Sequence, residues 1–474
     1  MLNIKEYFLL ESIKAEEAIK LIASVIRGSK YDNKVFIAGG YVRDNLLGLR
    51  SKDVDLVVDG HGIEGGIKVA TFIAKKLGIY KKDSNPVIFP RFRTAKLTLK
   101  LESGDIDVEF VAPRKEKYEQ GSRKPIVSVG TIEDDAFRRD FTINALFKNL
   151  TTGEIFDLTG RSIKDLNKKV IQTTGNPDWI FSEDPLRILR AIRFAFKYNF
   201  DLPLSVIRSI KKNAEKLKNI SSERIQDELN KILVLEKPSK AIRMFRITGI
   251  LKYTIPELEK LHKLQQNKFH KHDAFKHTLN VLDAVPTELI LRLSALFHDI
   301  GKSITRTEKD GKIQFIGHAS VGSKIAAEIM KRLKYSNSDI EKVQKLINYH
   351  MDLKSAGPEG DQISDKSLRK FIYRVSDMLE PALKLIHADN ISHADAHSMP
   401  KQIDKIRKRI EKMDINSILN TKSILDGNEI ASLGAKGPLI GKIKKRILEK
   451  AIENPSLSKK QAIELALNVI RSSK

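Results

Sequence analysis

Residues 35–58 read VFIAGGYVRDNLLGLRSKDVDLVV, two apolar runs joined through a glycine pair and a polar turn. Val35, Phe36, Ile37 and Ala38 predict a buried strand, and Gly39-Gly40 lets the backbone turn tightly and come close to a bulky group, most naturally a phosphate. Asp53 and Asp55 open the second run. Side chains two apart in a strand share a face, so both carboxylates point the same way. Two anions held side by side call for a cation, and hard oxygen donors on a rigid strand suit Mg²⁺ shared with substrate phosphates. D-x-D at a strand start is by itself a common solvated pattern, as is Gly-Gly before a helix. Here the two fall on consecutive apolar runs, and more acids follow in Ile106-Asp107-Val108-Glu109-Phe110, where Asp107 and Glu109 face one side and either can complete the set.

GGYVRD followed by DVD resembles the head of the nucleotidyltransferase superfamily, in the branch of bacterial-type CCA-adding enzymes and poly(A) polymerases. Further matches extend the resemblance over most of the chain. Arg114, Glu116 and Tyr118 fit the family's R-x-E-x-Y pattern, and counting back five residues from it assigns the third carboxylate to Glu109, with Asp107 in reserve. Alternation at Ala95, Leu97, Leu99 and Leu101 and again at Ile106, Val108 and Phe110 predicts two strands. Residues 115–130, polar and punctuated by Gly and Pro, predict a long flexible loop, and residues 151–159 read as a hairpin closing the head. Arg138-Arg139-Asp140-Phe141-Thr142-Ile143-Asn144-Ala145 matches the family segment that selects ribose, in which guanidinium groups suit triphosphate oxygens. From Ser182, a plausible N-cap, the chain is expected to turn helical, putting Asp184 and Arg187 at i and i+3 on one helix face. EDPLR matches the family's E-D-x-x-R motif, whose Asp and Arg recognise incoming C or A without a template. The resemblance thus implies Mg²⁺ held by Asp53, Asp55 and Glu109, and nucleotide contact by Gly39, Gly40, Arg43, Asp44, Arg138, Arg139, Asp140, Asn144, Glu183, Asp184, Arg187 and Arg190.

The chain of 474 residues is too long for one ordinary core. No run of about twenty apolar residues predicts a membrane span. The N-terminus reads as an amphipathic helix rather than a signal peptide, and zero cysteines exclude disulfides and thiolate ligands and suit the cytoplasm. A net charge of +25 predicts attraction to a polyanion, most simply nucleic acid. Residues 401–474 hold 17 Lys or Arg against 8 Asp or Glu, which marks an RNA-contacting tail.

Ten of the eleven histidines fall at or after His262. His277, His298-Asp299, His318, His350 and Asp389 resemble the HD-domain pattern of metal-dependent phosphohydrolases, most clearly in LSALFHDIGK at 293–302. Imidazole with carboxylate and no thiolate suits Ni²⁺, Mn²⁺ or Co²⁺ at least as well as Zn²⁺. His277, His298, Asp299 and Asp389 form the first expected ligand set, with His318 and His350 placed for a second ion or for substrate. LDGNEI and GPLIGK resemble the C-terminal motifs of HD-bearing bacterial CCA enzymes.

The expected fold is α+β: a small mixed-sheet nucleotidyltransferase head (1–160), a helical neck carrying base recognition (161–262), an HD domain (263–400) and a basic helical C-terminal region (401–474). The resemblance implies CCA addition to the tRNA 3′ end from CTP and ATP. The alternatives are poly(A) synthesis, partial CC or A addition, and an RNA-binding HD hydrolase with an inactive head.

Overall fold

The structure is a computed structural model that describes residues 4–51, 54–117, 126–266, 272–394 and 397–473. The chain forms two compact units, Met1–Ile220 and Ser221–Lys474. The division falls within the stretch expected as neck, so the helices Pro177–Glu183, Leu186–Tyr198 and Leu204–Asn213 belong to the unit that holds the sheet.

In the first unit the strands are β1 (Val35–Ala38), β2 (Asp55–Val58), β3 (Val87–Phe89), β4 (Thr94–Leu99), β5 (Ile106–Val111), β6 (Arg114–Lys117), β7 (Ile126–Val129), β8 (Leu146–Asn149) and β9 (Ile155–Asp157). Seven of them make one mixed sheet in the order β3-β4-β5-β2-β1-β8-β9, with β2 and β5 parallel and the other neighbours antiparallel. The alternation that predicted strands at 95–101 and 106–110 is realised in β4 and β5, where Val108, Phe110, Leu97 and Leu99 are fully buried while Asp107 and Glu109 face out. The buried face is covered by the helices Ile4–Ile26 and Gly65–Lys76. Gly66 allows the second of these to lie flat, since a Cβ there would stand 2.6 Å from the Phe110 carbonyl oxygen. The opposite face is covered at one end by the helix Ile132–Arg138, whose Ile132 and Ala136 pack on Phe36, Val57 and Phe147. Its other end, where the acids of β2 and β5 stand, is open.

Two expectations change. Residues 115–130 are not one loop: β6 and β7 pair as a two-stranded antiparallel ribbon from Arg114↔Val129 to Lys117↔Ile126. A polar ribbon pairs through its backbone and carries no apolar alternation, which is why it reads as loop. Tyr118 and the rest of 118–125 lie outside the described residues. The hairpin expected at 151–159 begins earlier, with β8 and β9 joined by a turn at 150–154.

The second unit is helical, apart from a two-stranded hairpin, Thr307–Lys309 with Lys312–Gln314. Its C-terminal part has a separate apolar cluster of Leu425, Ile430, Ile443, Ile447, Ala462 and Val469, drawn from helices that include Pro438–Glu453 and Lys459–Arg471. No described helix is long and apolar enough to cross a membrane.

Candidate active site of the head and metal centre of the helical unit

Asp55 and Glu109 are register partners on the parallel strands β2 and β5, so their carboxylates stand side by side on the exposed face. Asp107 lies on the same face but is committed elsewhere, accepting from Lys96 Nζ at 2.8 Å and Thr98 Oγ1 at 2.7 Å. Those two bonds hold its carboxyl below the usual range. Asp53 lies outside the described residues.

The glycine turn meets the Arg-Arg-Asp segment beside this pair. Gly39 has φ +66°, and a Cβ there would lie 2.5 Å from Arg139 Nη1 as well as adopting a backbone state that side chains disfavour. The helix carrying the arginines is started by a capping box: Thr131 Oγ1 accepts from the Asp134 amide, and Asp134 Oδ2 accepts from the Thr131 amide. One turn later, fully buried Asp135 receives both Arg138 Nε at 2.8 Å and Arg139 Nη2 at 2.9 Å. Burial would raise its carboxyl, but the two guanidinium groups outweigh that and hold it low. Asp135 was not among the expected site residues; its spacing of three and four from the arginines is the signal that would have found it.

Asp140 is buried and faces inward, accepting from Asn144 Nδ2 at 2.8 Å and from Arg190 Nε at 2.7 Å. Burial works against its charge and Arg190 restores it, leaving the carboxyl below its ordinary value. Arg43 is equally enclosed: it donates to Asp44 and Asn144, and its guanidinium carbon lies 4.6 Å from the Tyr198 ring centre and 5.2 Å from that of Phe194. Tyr198 donates to Asp44 at 2.9 Å, and burial pushes its phenol up. Tyr198 stands 154 residues beyond Asp44 and had no local signal. Gly39, Arg139, Arg43, Asp44, Asp140, Asn144 and Arg190 therefore form one connected polar assembly.

The pair expected to read the base needs a correction. Asp184 and Arg187 do not share a helix, and Ser182 is not an N-cap: one helix ends at Glu183, Asp184 is extended at φ −133° and ψ 94°, and the next helix begins at Leu186 behind Pro185. The proline ring disfavours helical geometry at the residue before it, which breaks the helix there. Asp184 instead accepts the Leu186 amide at 3.2 Å, while Arg187 Nη2 donates to the Arg138 carbonyl at 2.9 Å and Nη1 to Glu183 at 3.5 Å. Both side chains are still held, Asp184 by its own turn and Arg187 by the Arg138 carbonyl and Glu183. Arg187→Ala is expected to reduce discrimination of CTP and ATP against UTP and GTP by about tenfold to a hundredfold, the value of one bidentate base contact. Competition between labelled nucleotides measures this, and unchanged selectivity would remove the role.

In the second unit the expected residues converge. His277 comes from the helix Ala274–Ala284, His298 and Asp299 follow Leu289–Phe297, His318 opens His318–Arg332, His350 follows Asn337–Tyr349, and Asp389 lies in Leu379–Ile391. All six are buried. Each of His298, His318 and His350 has Nδ1 within 2.7–2.8 Å of a main-chain carbonyl three residues before it, which places the proton on Nδ1 and leaves the Nε2 lone pair facing the centre. His277 Nε2 lies 2.9 Å from Asp389 Oδ1, and Asp299 lies 3.2 Å from His298, 3.5 Å from His318 and 3.9 Å from His350. Among the described residues two triads can each hold an ion, His277-His298-Asp299 and Asp299-His318-His350, with Asp299 shared. The Nε2 of His298 is buried without a hydrogen bond, and those of His318 and His350 face each other at 3.4 Å. Lone pairs so placed fit a divalent cation. Lys302 donates to Asp299 Oδ2, the oxygen that also faces His298, and Lys354 donates to Asp389 Oδ2, the oxygen not facing His277, both at 2.7 Å. The site opens on a cavity of about 670 Å³ walled on its apolar side by Phe315, Ile316, Met351 and Met399.

Burial holds His350 neutral, down to about 3, and His393 down to about 4. Unfolding therefore takes up protons on these two and on His318, which burial also lowers, between the ordinary 6.5 and the folded values, so stability rises with pH across that window and is lost on acidification. Asp299 and Asp389, held low by their cationic neighbours against burial, add loss at the acid end, while His298, raised by Asp299 against burial, opposes it singly. In chelator, the urea midpoint is expected to fall steadily from pH 6.5 towards 4. A flat midpoint would contradict neutral buried imidazoles.

Paired carboxylates beside a glycine turn and an arginine assembly make the first unit a nucleotidyltransferase head, and the histidine-aspartate centre makes the second an HD-type module. Residues 35–172 match the poly(A) polymerase head domain, 199–261 the probable RNA- and SrmB-binding site of polymerase A, and 275–396 the HD domain. A Schizosaccharomyces pombe protein named tRNA nucleotidyltransferase cca2 is 39% identical over 241 residues, 48% of each chain. The CC-adding tRNA nucleotidyltransferase of Thermus thermophilus is 29% identical over 441 residues, covering 90% of this chain and 92% of the relative. The fold is shared with the Bacillus stearothermophilus CCA-adding enzyme solved in complex with CTP, at a TM-score of 0.64 and 20% identity, over 97% of this chain and 98% of the other. The chain thus joins a poly(A) polymerase head domain to an HD domain, and over most of its length it is similar to proteins named tRNA nucleotidyltransferases.

Proposed function

We propose that this chain adds or repairs the 3′-terminal C-C-A of tRNA from CTP and ATP, choosing each nucleotide with protein side chains instead of a nucleic-acid template. The observation that carries the reading is the side-by-side placement of Asp55 and Glu109 on an open sheet face, next to the Gly39 turn and Arg139. Mg²⁺ bound by these carboxylates and by Asp53 would polarise the α-phosphate and stabilise the leaving pyrophosphate. Arg139, aimed at the glycine turn and steadied by Asp135, suits the triphosphate. Asp140 positions Asn144 and Arg190, and Arg43 with Asp44 locks the short helix after the glycine pair against Tyr198. Asp184 and Arg187 offer the edge that pairs with the base.

For the HD centre we propose a metal-dependent phosphohydrolase. A bound divalent transition ion such as Ni²⁺, Mn²⁺, Co²⁺ or Zn²⁺ would activate water there. Lys302 and Lys354 would neutralise a substrate phosphate, and the apolar wall would take an attached nucleoside. The basic residues after 401 serve the tRNA body, and the cysteine-free composition suits a cytoplasmic enzyme.

The test supplies tRNA lacking CCA, CA or A with CTP and ATP separately and together, and sequences the 3′ ends. Completion of all three substrates is expected. A second reading, addition of CC alone, is favoured by the name of the Thermus relative and would show as a halt before the final A.

A further inference from the structure

The sheet face that holds the acids continues beyond them. Strand pairing sets Asp55, Glu109, Lys96 and Val87 opposite one another in a row across β2, β5, β4 and β3. Strands lie ~4.8 Å apart, so Lys96 stands one step from Glu109 and the sheet edge about 10 Å away. The Lys96 side chain is 41% exposed, and its ammonium is fixed by Asp107. Phe89 is the register partner of Thr94 and faces the same side as Lys96, yet stays 39% exposed on the edge strand. Phe92, in the turn that follows, is 59% exposed and carries Arg91 at 5.9 Å from its ring centre. Residues 84–101 contain Arg91, Arg93, Lys96 and Lys100 and no acid. Neither Arg91 nor Arg93 is in an ion pair among the described residues.

The direction of the reaction gives this strip an occupant. The glycine turn and Arg139 stand at the end of β1, on the far side of β2 from β5. In-line transfer forms the bond from the RNA 3′ oxygen to the α-phosphorus as the bond to pyrophosphate breaks, the hydroxyl proton passing to solvent. With the triphosphate on the β1 side, the hydroxyl must approach from β5 and β4. We propose that β4, β3 and the 90–93 turn are a track for the single-stranded 3′ end of the RNA: Lys96 binds the phosphate nearest the terminus, Phe89 and Phe92 stack the bases behind it, and Arg91 and Arg93 hold the backbone. Exposed aromatics beside Arg91 and Arg93, with Lys96 held in place by Asp107, supply the stacking faces and positive charge that a sequence-tolerant single-strand site requires. The distance of about 10 Å accommodates about three nucleotides stacked at ~3.4 Å each. The inference rests on the nucleotidyltransferase reading above.

The test uses the full chain, tRNA ending in CC, and ATP. F89A/F92A is expected to raise KM for tRNA about tenfold and to leave KM for ATP unchanged, with F89Y/F92W restoring the first. R91E/R93E, on the surface and safe for folding, should raise the same KM and flatten its salt dependence by about two units of slope. Melting curves accompany each variant. If the wild type adds nothing, the nucleotidyltransferase reading fails first. If the wild type adds A and the folded variants keep KM for tRNA within twofold, the track is wrong, and a change in sedimentation alone would assign the edge to a second copy of the chain.

Discussion

Asp55→Ala is expected to reduce nucleotide addition by on the order of a thousandfold or more while tRNA binding stays near its original strength. The loss is large because the carboxylate holds charge where charge develops in the transition state, and such preorganised groups carry the largest single share of catalysis. Binding survives because the affinity comes from a chain of net charge +25, of which one exposed side chain is a small part. Glu109→Ala should behave alike, since Glu109 is Asp55's partner across the strands. Asp107→Ala should not, because its oxygens are already taken by Lys96 and Thr98. Single-turnover addition with a parallel filter-binding assay separates the three. Wild-type rates in Asp55→Ala, or an Asp107→Ala defect as deep as that of Glu109→Ala, would overturn the assignment of the carboxylates.

The second large effect belongs to the other unit. His298→Ala with Asp299→Ala is expected to eliminate hydrolysis of 2′,3′-cyclic and terminal phosphates and to leave CCA addition close to its original rate. Asp299 is the residue that both metal triads share, so the pair dismantles the whole centre. It also strips Lys302 of its carboxylate in a buried setting, which costs stability, and a melting curve must accompany the assay. A folded double mutant that lost addition as completely as Asp55→Ala would show that the two reactions are not independent. If wild type hydrolysed neither phosphate with Ni²⁺, Mn²⁺, Co²⁺ or Zn²⁺, the HD module would be a scaffold.

Much of this was legible in the sequence, and for identifiable reasons. Strand alternation placed Asp107 and Glu109 on one face, and register between β2 and β5 then separated them, which is information that a linear pattern does not hold. The six HD residues were named from their resemblance to the HD-domain pattern, whose clearest piece, LSALFHDIGK, closes a buried apolar helix; the other four come from separate helices that only folding brings together. What escaped was long-range or local in a less familiar way. Tyr198 meets Arg43 and Asp44 only through tertiary packing, and the 114–129 ribbon pairs without an apolar face. The helix break at Asp184 was in view, for proline after aspartate forecasts it, but the acids and the apolar spacing beyond favoured a continuous helix.

That break changes what the cost of choosing a base consists of. Pro185 fixes its own φ and narrows the residue before it, and the Leu186 amide anchors the Asp184 carboxylate, so the edge loses most of its freedom when the chain folds. Little ordering entropy remains to be spent when a nucleotide arrives. For the proposed selection, a wrong base then differs from a right one almost wholly in hydrogen bonds left unmade, a penalty that a limp edge could have relaxed away. Fidelity without a template would thus be set during folding, by a ring that itself touches no base.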